Sequence, residues 1–172
     1  MTVPERLVHP LQPEPTQPGT LYRLPTLSIF AWTVATVPLG LARGALAEFV
    51  RIARARKRRN DSVPLAEREL VQSQVGRISA RLSAGRLFLR QAMTDLLAAV
   101  ESDIDVEGAQ VRFRVACTFA SEGTLWAIGL LTEMAGAIAI FQSCPLERDA
   151  RAAGAGRGQT SRDERRCLHH WR

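Results

Sequence analysis

The 172-residue chain has 46% hydrophobic and 23% charged residues, so it is long enough for one globular domain with a real core and too short for two. Its formal net charge is +6, but every Lys or Arg except Lys57 is arginine, and a GC-rich coding sequence explains that bias as well as a functional demand for guanidinium groups does. Three widely spaced cysteines exclude a disulfide framework or a cysteine metal knuckle and indicate a reducing compartment.

The N-terminal stretch is rich in proline, with five prolines before Gly19. Proline removes a backbone donor and disfavours the helical turn before it, so residues 1–22 are predicted to be an extended lead-in. Proline and glutamate also stand where a signal peptide needs an apolar core. We therefore expect a cytoplasmic protein.

Apolar residues then recur at intervals of three and four, which predicts a helix from Thr26 to about Arg58. Pro38 falls inside this helix and is expected to kink or divide it. The turn "RRNDSVP" follows, and Pro64 suits the first turn of a second helix.

The second helix is predicted to run to about Ser102 with a stripe close to a coiled-coil seam. The short acidic turn "ESDIDVEG" leads to a third helix whose apolar stripe reaches Ile138. Three long helices with short connections predict an all-α, antiparallel up-down helical bundle, assigned to residues 23–148.

A fourth helix should start near Ser143, with Pro145 in its first turn. The sequence beyond Arg148 instead has three closely spaced glycines, arginines and no apolar stripe, so the fourth helix is predicted to be truncated. Residues 149–172 are interpreted as an aberrant, disordered basic tail of the kind that a frameshift produces. A genuine flexible tail is the alternative.

Two segments offer other functions. The basic run "RIARARKRR" at 51–59 could attract nucleic acid, although it lacks interleaved aromatics and any reading helix. Residues 24–42 carry no charge and precede that basic run. An uncharged segment followed by basic residues is typical of a membrane span. Pro25, Pro38 and several hydroxyl residues favour a buried bundle helix instead. We therefore expect neither a nucleic-acid nor a membrane partner.

Three segments, in order, carry a resemblance: "GTLYRLPTLSIFAWTVATVPLGLARGALAEFV", "SVPLAERELVQSQVGRI" and "LLTEMAGAIAIFQSCPLER". They resemble the C-terminal helical domain of the acyl-CoA dehydrogenase superfamily, closest to its flavin-dependent monooxygenase-like branch. The resemblance implies FAD or FMN as cofactor, a homotetramer, a flavin reductase partner, and N-terminal and β-domains ahead of the bundle. Only the end of the β-domain, about Val3 to Leu11, is then expected in this chain.

The same resemblance implies candidate flavin-binding residues. Arg58 falls on an arginine that touches FAD phosphates, with Asp61 and Ser62 in place of a Phe-Gly pair, and a fork-shaped guanidinium suits a diphosphate. A solvated basic helix end is the alternative. The other candidates are Gln72, on a flavin-contacting glutamine position, and, in "TEMAGA", Glu133 in place of a glutamine and Gly136 on the first glycine. A small residue where two helices touch is the alternative for Gly136.

No catalytic or metal-binding residue is predicted. The resemblance implies a carboxylate base either at the start of the first helix or after an arginine-aspartate pair. There is no acid between Glu14 and Glu48, and the second location is lost in this sequence. His169 and His170 fall in the aberrant tail. The chain alone is therefore expected to be an inactive fragment, and the alternative is a free-standing helical protein whose basic surface binds nucleic acid or membrane.

Overall fold

The structure is a computed structural model that describes residue 15, residues 17–57 and 63–136, and residues 148 and 151. It contains three long helices, α1 (Thr26–Ala55), α2 (Glu69–Ser102) and α3 (Val106–Ala135). Two short 3₁₀ turns, Thr20–Arg23 and Leu65–Glu67, precede α1 and α2. Within the described ranges there is no strand, so the predicted all-α bundle is confirmed. Most of the lead-in, the fourth helix and the basic tail lie outside these ranges.

The ends of the helices differ by a few residues from the prediction. Helix α1 ends at Ala55, because Arg56 already has extended backbone angles of φ −104° and ψ 134°. Pro64 starts a 3₁₀ turn rather than α2, which begins after the extended residue Arg68. Helix α3 ends at Ala135, where Gly136 takes a positive φ of 64°. The predicted stripe residue Ile138 lies outside the described ranges.

Pro38 lies inside α1 without dividing it. The missing N–H leaves the carbonyl of Val34 without its helical donor. Val34 is 43% exposed, so water can reach that part of the helix. The part of the prediction that allowed a divided helix is therefore wrong.

Helix α3 lies between the other two helices, which contact each other little. Trp32 near the start of α1 stacks on Phe113 near the start of α3, with ring centroids 6.3 Å apart. Arg56, just past the end of α1, contacts Ala135 at the end of α3. Helices α1 and α3 are therefore parallel, and α2 is antiparallel to both.

The core is built from one apolar stripe on each helix. Its largest fully buried apolar side chains come from all three helices: Phe49, Ile78, Leu89, Leu96, Phe113 and Leu131. Buried Thr124 donates its hydroxyl to the carbonyl of Ala120 at 3.0 Å, which satisfies the polar group inside α3 itself. At Gly85 an added Cβ would lie 3.4 Å from Cα of Ala120, so α2 and α3 approach closely there.

The predicted acidic turn joins α2 to α3 through two residues in the left-handed region, Asp103 (φ 58°) and Asp105 (φ 49°). Aspartate tolerates this conformation better than most residues do. The Asp105 carboxylate also accepts a hydrogen bond from Arg112 at 3.1 Å. The turn is short enough to set α2 and α3 side by side.

Helices α1 and α3 are long and apolar enough, by length and composition, to cross a membrane. A core helix of a soluble bundle passes the same test, and α3 contributes Phe113, Ile128 and Leu131 to the core while Val115 stays 40% exposed. Helix α1 keeps exposed apolar side chains at Leu27, Phe30, Val34 and Val37. The expectation of no membrane partner stays a prediction.

The close approach of α2 and α3 makes a testable prediction. We expect Gly85→Leu to lower the free energy of unfolding by about 1–3 kcal/mol, because the new side chain must push against Ala120. The matched control is Gly76→Leu on the same helix, where an added Cβ has no atom within 4 Å. Its higher helix propensity should raise stability by about 0.5–1 kcal/mol. Chemical denaturation followed by far-ultraviolet circular dichroism measures both, and equal effects at the two sites would contradict the packing.

Candidate functional site

The candidate site lies at the end of the bundle where α1 ends, α2 begins and α3 ends. Because α1 and α3 are parallel and α2 is antiparallel, the three termini meet at one end. All candidate flavin-binding residues belong to these termini or to the segment between α1 and α2. The chain topology therefore brings together residues from three separate parts of the sequence.

The segment between α1 and α2 is closed at its base. The backbone N–H of Leu65 donates to the carbonyl of Arg56 at 2.9 Å, and Lys57 and Pro64 form an antiparallel bridge. These contacts return the chain to the end of α1 before α2 begins. Arg58 and Ser62 belong to residues 58–62, which lie outside the described residues, so their assignment stays a prediction.

Arg56 is a residue of this end that the sequence patterns did not single out. Its guanidinium Nη1 donates to the carbonyl oxygen of Ala135 at 2.8 Å, and the side chain is partly buried. That carbonyl is one of those that have no helical donor at the end of α3. Arg56 thus joins the ends of α1 and α3. In the sequence it is one of six basic residues in a run, and nothing there marks it as different.

Gly136 ends α3 with φ 64° and ψ −144°, a region that suits glycine. Its N–H donates to the carbonyls of Thr132 and Glu133. The residue is exposed, and no atom of the described residues lies within 4 Å of the position that a Cβ would take. The described helices therefore do not contact each other at Gly136.

Gln72 and Glu133 lie at the same end. Gln72 is in the first turn of α2, is exposed, and donates its amide Nε2 to the carbonyl of Ala66 at 3.1 Å, which orients the side chain. Glu133 is in the last turn of α3 and is also exposed. Together with Gly136 they give one amide, one carboxylate and an open backbone, which are groups that can contact a polar ring system.

The basic run near the end of α1 is partly engaged within the protein. Arg51 donates to Glu48 from Nε at 2.9 Å and from Nη2 at 2.6 Å. This hydrogen-bonded guanidinium lowers the pKa of the Glu48 carboxyl below its ordinary value. With Arg56 held on Ala135, the run is less of a free cationic surface than its sequence suggests.

Metal chemistry finds no support in the described ranges, where no three His, Cys, Asp or Glu side chains come together. At this end of the bundle Gln72 and Glu133 are exposed, and Arg56 is partly buried. This end of the bundle can bind and orient a polar ligand that a second protein surface also contacts.

A family model for the acyl-CoA dehydrogenase C-terminal domain matches residues 32–161, which is most of the chain. The chain belongs to this family. The match covers α1 from Trp32 onward, all of α2 and α3, and it extends past Arg148 into the segment interpreted as an aberrant tail. That interpretation of residues 149–172 stays a prediction. No curated protein sequence gave a match to the chain.

Solved structures show the same fold for this acyl-CoA dehydrogenase C-terminal domain. The HsaA monooxygenase from M. tuberculosis superposes with a TM-score of 0.74 at 23% identity, over 87% of this chain and 38% of that one. The 3-HSA hydroxylase from Rhodococcus sp. RHA1 superposes with a TM-score of 0.75 at 24% identity, over 87% of this chain and 39% of that one. XiaF from Streptomyces sp., solved in complex with FADH2 and glycerol, superposes with a TM-score of 0.73 at 24% identity, over 80% of this chain and 35% of that one.

The chain therefore spans well under half the length of the proteins that it resembles. Family membership and fold are established for the bundle. The activity, cofactor and partners of a whole flavoenzyme are a separate question.

Arg56 provides a prediction for this end of the bundle. We expect Arg56→Ala to lower the free energy of unfolding by about 1 kcal/mol, since a partly buried charge-assisted hydrogen bond to Ala135 is lost. The control is Arg54→Ala, at an exposed arginine in the last turn of α1. It should change the free energy of unfolding by less than about 0.5 kcal/mol. Hydrogen exchange at the last turn of α3 should become faster in the first variant only. Unchanged exchange there would contradict the role of Arg56.

Proposed function

We propose that the chain acts as the C-terminal bundle of a flavin-dependent oxidoreductase of the monooxygenase-like branch and forms one side of its flavin site. The observation that carries this proposal is that Gln72, Glu133 and Gly136 lie at one end of the bundle, where α1 ends and α2 begins, in a chain of this family. Two of its structural neighbours are monooxygenases or hydroxylases by name, and a third was solved with FADH2.

The residues present fit one edge of a flavin. Gly136 leaves its backbone open, because no described atom lies within 4 Å of its missing Cβ. Gln72 and Glu133 are exposed at the same end of the bundle, and a carboxylate accepts hydrogen bonds but donates none when ionised. Arg58 and Ser62, in the segment whose base is fixed by Arg56 and Leu65, are the proposed phosphate-binding residues.

The bound FAD or FMN would supply the redox chemistry, and the residues of this chain would bind and orient it. No acid lies between Glu14 and Glu48, so the first half of α1 offers no base for acyl-CoA dehydrogenation. This favours a monooxygenase-like reaction, in which a flavin reductase is the proposed partner. The enzyme is proposed to be cytoplasmic and tetrameric.

We propose that the chain alone is inactive. Binding free energy that is spread over a β-domain, a bundle and a neighbouring subunit is lost when most of those surfaces are missing. Gln72, Glu133 and Gly136 are exposed, so these residues would cover one side of a flavin at most.

A titration of the purified chain with FAD and with FMN, followed by flavin fluorescence, tests the incomplete site. We expect no saturable binding and no oxygen consumption with reduced flavin above the free-flavin background. A stoichiometric yellow complex of the 172-residue chain would contradict the proposal that the missing domains are required.

A fusion tests the function itself. The segment of the Rhodococcus hydroxylase that precedes its matched region is joined to this chain, and the fusion is expected to retain flavin through gel filtration. Arg58→Ala in the fusion should weaken flavin binding about tenfold, because a charge-assisted contact to phosphate is lost. Arg54→Ala is the matched control and should leave binding unchanged. A folded fusion that holds no flavin would overturn the proposed function.

A further inference from the structure

Arg56 joins three parts of the candidate site through its own hydrogen bonds. Its backbone N–H donates to the carbonyl of Ile52 at 3.0 Å and closes the last turn of α1. Its carbonyl accepts the N–H of Leu65 at 2.9 Å, and its guanidinium Nη1 donates to the carbonyl of Ala135 at 2.8 Å. The end of α1, the segment before α2 and the end of α3 are therefore linked by one residue.

The guanidinium of Arg56 acts on the peptide group that leads into Gly136. The carbonyl of Ala135 and the N–H of Gly136 belong to one planar peptide unit. Arg56 holds the carbonyl side of this unit. On the other side, the Gly136 N–H donates to the carbonyls of Thr132 and Glu133. The hydrogen bond from Arg56 thus fixes the plane in which the backbone enters Gly136.

This restraint matters at Gly136 because glycine has little conformational preference of its own. Without a Cβ, glycine adopts positive φ angles about as readily as negative ones. The observed φ of 64° and ψ of −144° therefore depend on the hydrogen bonds around the residue. No described atom lies within 4 Å of the position that a Cβ would take, so packing of the described residues does not add to the restraint.

The backbone of Arg56 acts on the other half of the candidate site. Its hydrogen bond with the N–H of Leu65 places that buried residue, 5% exposed, beside the end of α1. Ala66 follows directly, and its carbonyl accepts the Nε2 amide of Gln72 at 3.1 Å. This contact uses the main chain of Arg56 and survives a change of side chain. The contact with α3, in contrast, needs a donor at the end of a long side chain.

From these contacts we infer that Arg56 is a positioning residue for the proposed flavin site, and that its guanidinium orders the Gly136 turn before flavin binds. Arg56 acts through Gly136 and needs no contact with the flavin. Ordering the turn beforehand removes part of the conformational entropy that binding would otherwise cost. A supporting hydrogen bond of this kind raises the affinity without adding a ligand contact. The inference rests on the proposed function for the identity of the ligand.

The flavin affinity of the fusion with the Rhodococcus hydroxylase segment tests this role. We expect Arg56→Met, which keeps a long side chain but removes the donor, to weaken flavin binding about fivefold to tenfold, because a charge-assisted hydrogen bond is lost. Arg56→Lys keeps a cationic donor and should recover most of the affinity. Arg54→Met, at an exposed arginine in the last turn of α1, is the matched control and should leave the affinity unchanged. Affinities are compared at a temperature where circular dichroism shows every variant to be folded.

A double-mutant cycle tests the route through Gly136. Gly136→Ala forces the turn away from its positive φ, so adding Arg56→Met to that variant should cost less than about a further twofold in affinity. Gln72→Ala leaves the turn intact, and its effect should add to that of Arg56→Met. Equal losses from Arg56→Met in the wild-type and the Gly136→Ala fusions would overturn the inference.

A measurement without flavin separates this inference from the proposed function. In the 172-residue chain, Arg56→Met should speed hydrogen exchange at the Gly136 amide at least about fivefold by NMR, and Arg56→Lys should restore the protection. Unchanged exchange at Gly136 would overturn the inference alone, and so would a fusion that holds flavin equally well before and after Arg56→Met. A wild-type fusion that holds no flavin would overturn the proposed function and the inference with it.

Discussion

Helix α3 can lie against both other helices because its contact faces are made of small residues, which are Ala109, Ala116, Ala120, Gly123, Thr124, Ala127 and Ala135. Small side chains let helix axes approach, and at Gly85 the backbone of α2 comes close to Ala120. The large side chains Phe113 and Leu131 then fill the space near the ends of α3. The Trp32–Phe113 and Arg56–Ala135 contacts then set α1 parallel to α3, and the short turn after Ser102 sets α2 antiparallel to α3.

The candidate site follows from those directions. Parallel α1 and α3 end side by side, so Arg56 can donate to the Ala135 carbonyl, and antiparallel α2 begins beside them. Gln72 and Glu133 therefore share one end although they are far apart in the sequence. Along α2, Arg77, Arg81 and Phe88 are exposed and lie against the rings of Phe119 and Trp126 of α3.

Apolar periodicity predicted the three helices, because each one buries a single stripe and no other feature competes with that signal. Pro38 was expected to kink or divide α1. A proline is tolerated inside a helix when the carbonyl that loses its donor, here that of Val34, lies near solvent. The candidate residues came from resemblance, and the structure places Gln72, Glu133 and Gly136 at one end. Arg56 was missed, because its partner is a backbone carbonyl far along the chain, which leaves no trace in local sequence.

Pulsed electron spin resonance on doubly labelled chains tests the parallel arrangement of α1 and α3 most directly. One sample carries labels at Arg54 and Glu133, and the other at Leu27 and Glu133. The structure places Arg54 and Glu133 at the same end, so their distance should be short, below about 25 Å, whereas Leu27 lies almost a whole helix away, about 40 Å at 1.5 Å per residue. A long Arg54–Glu133 distance with a short Leu27–Glu133 distance would contradict the account.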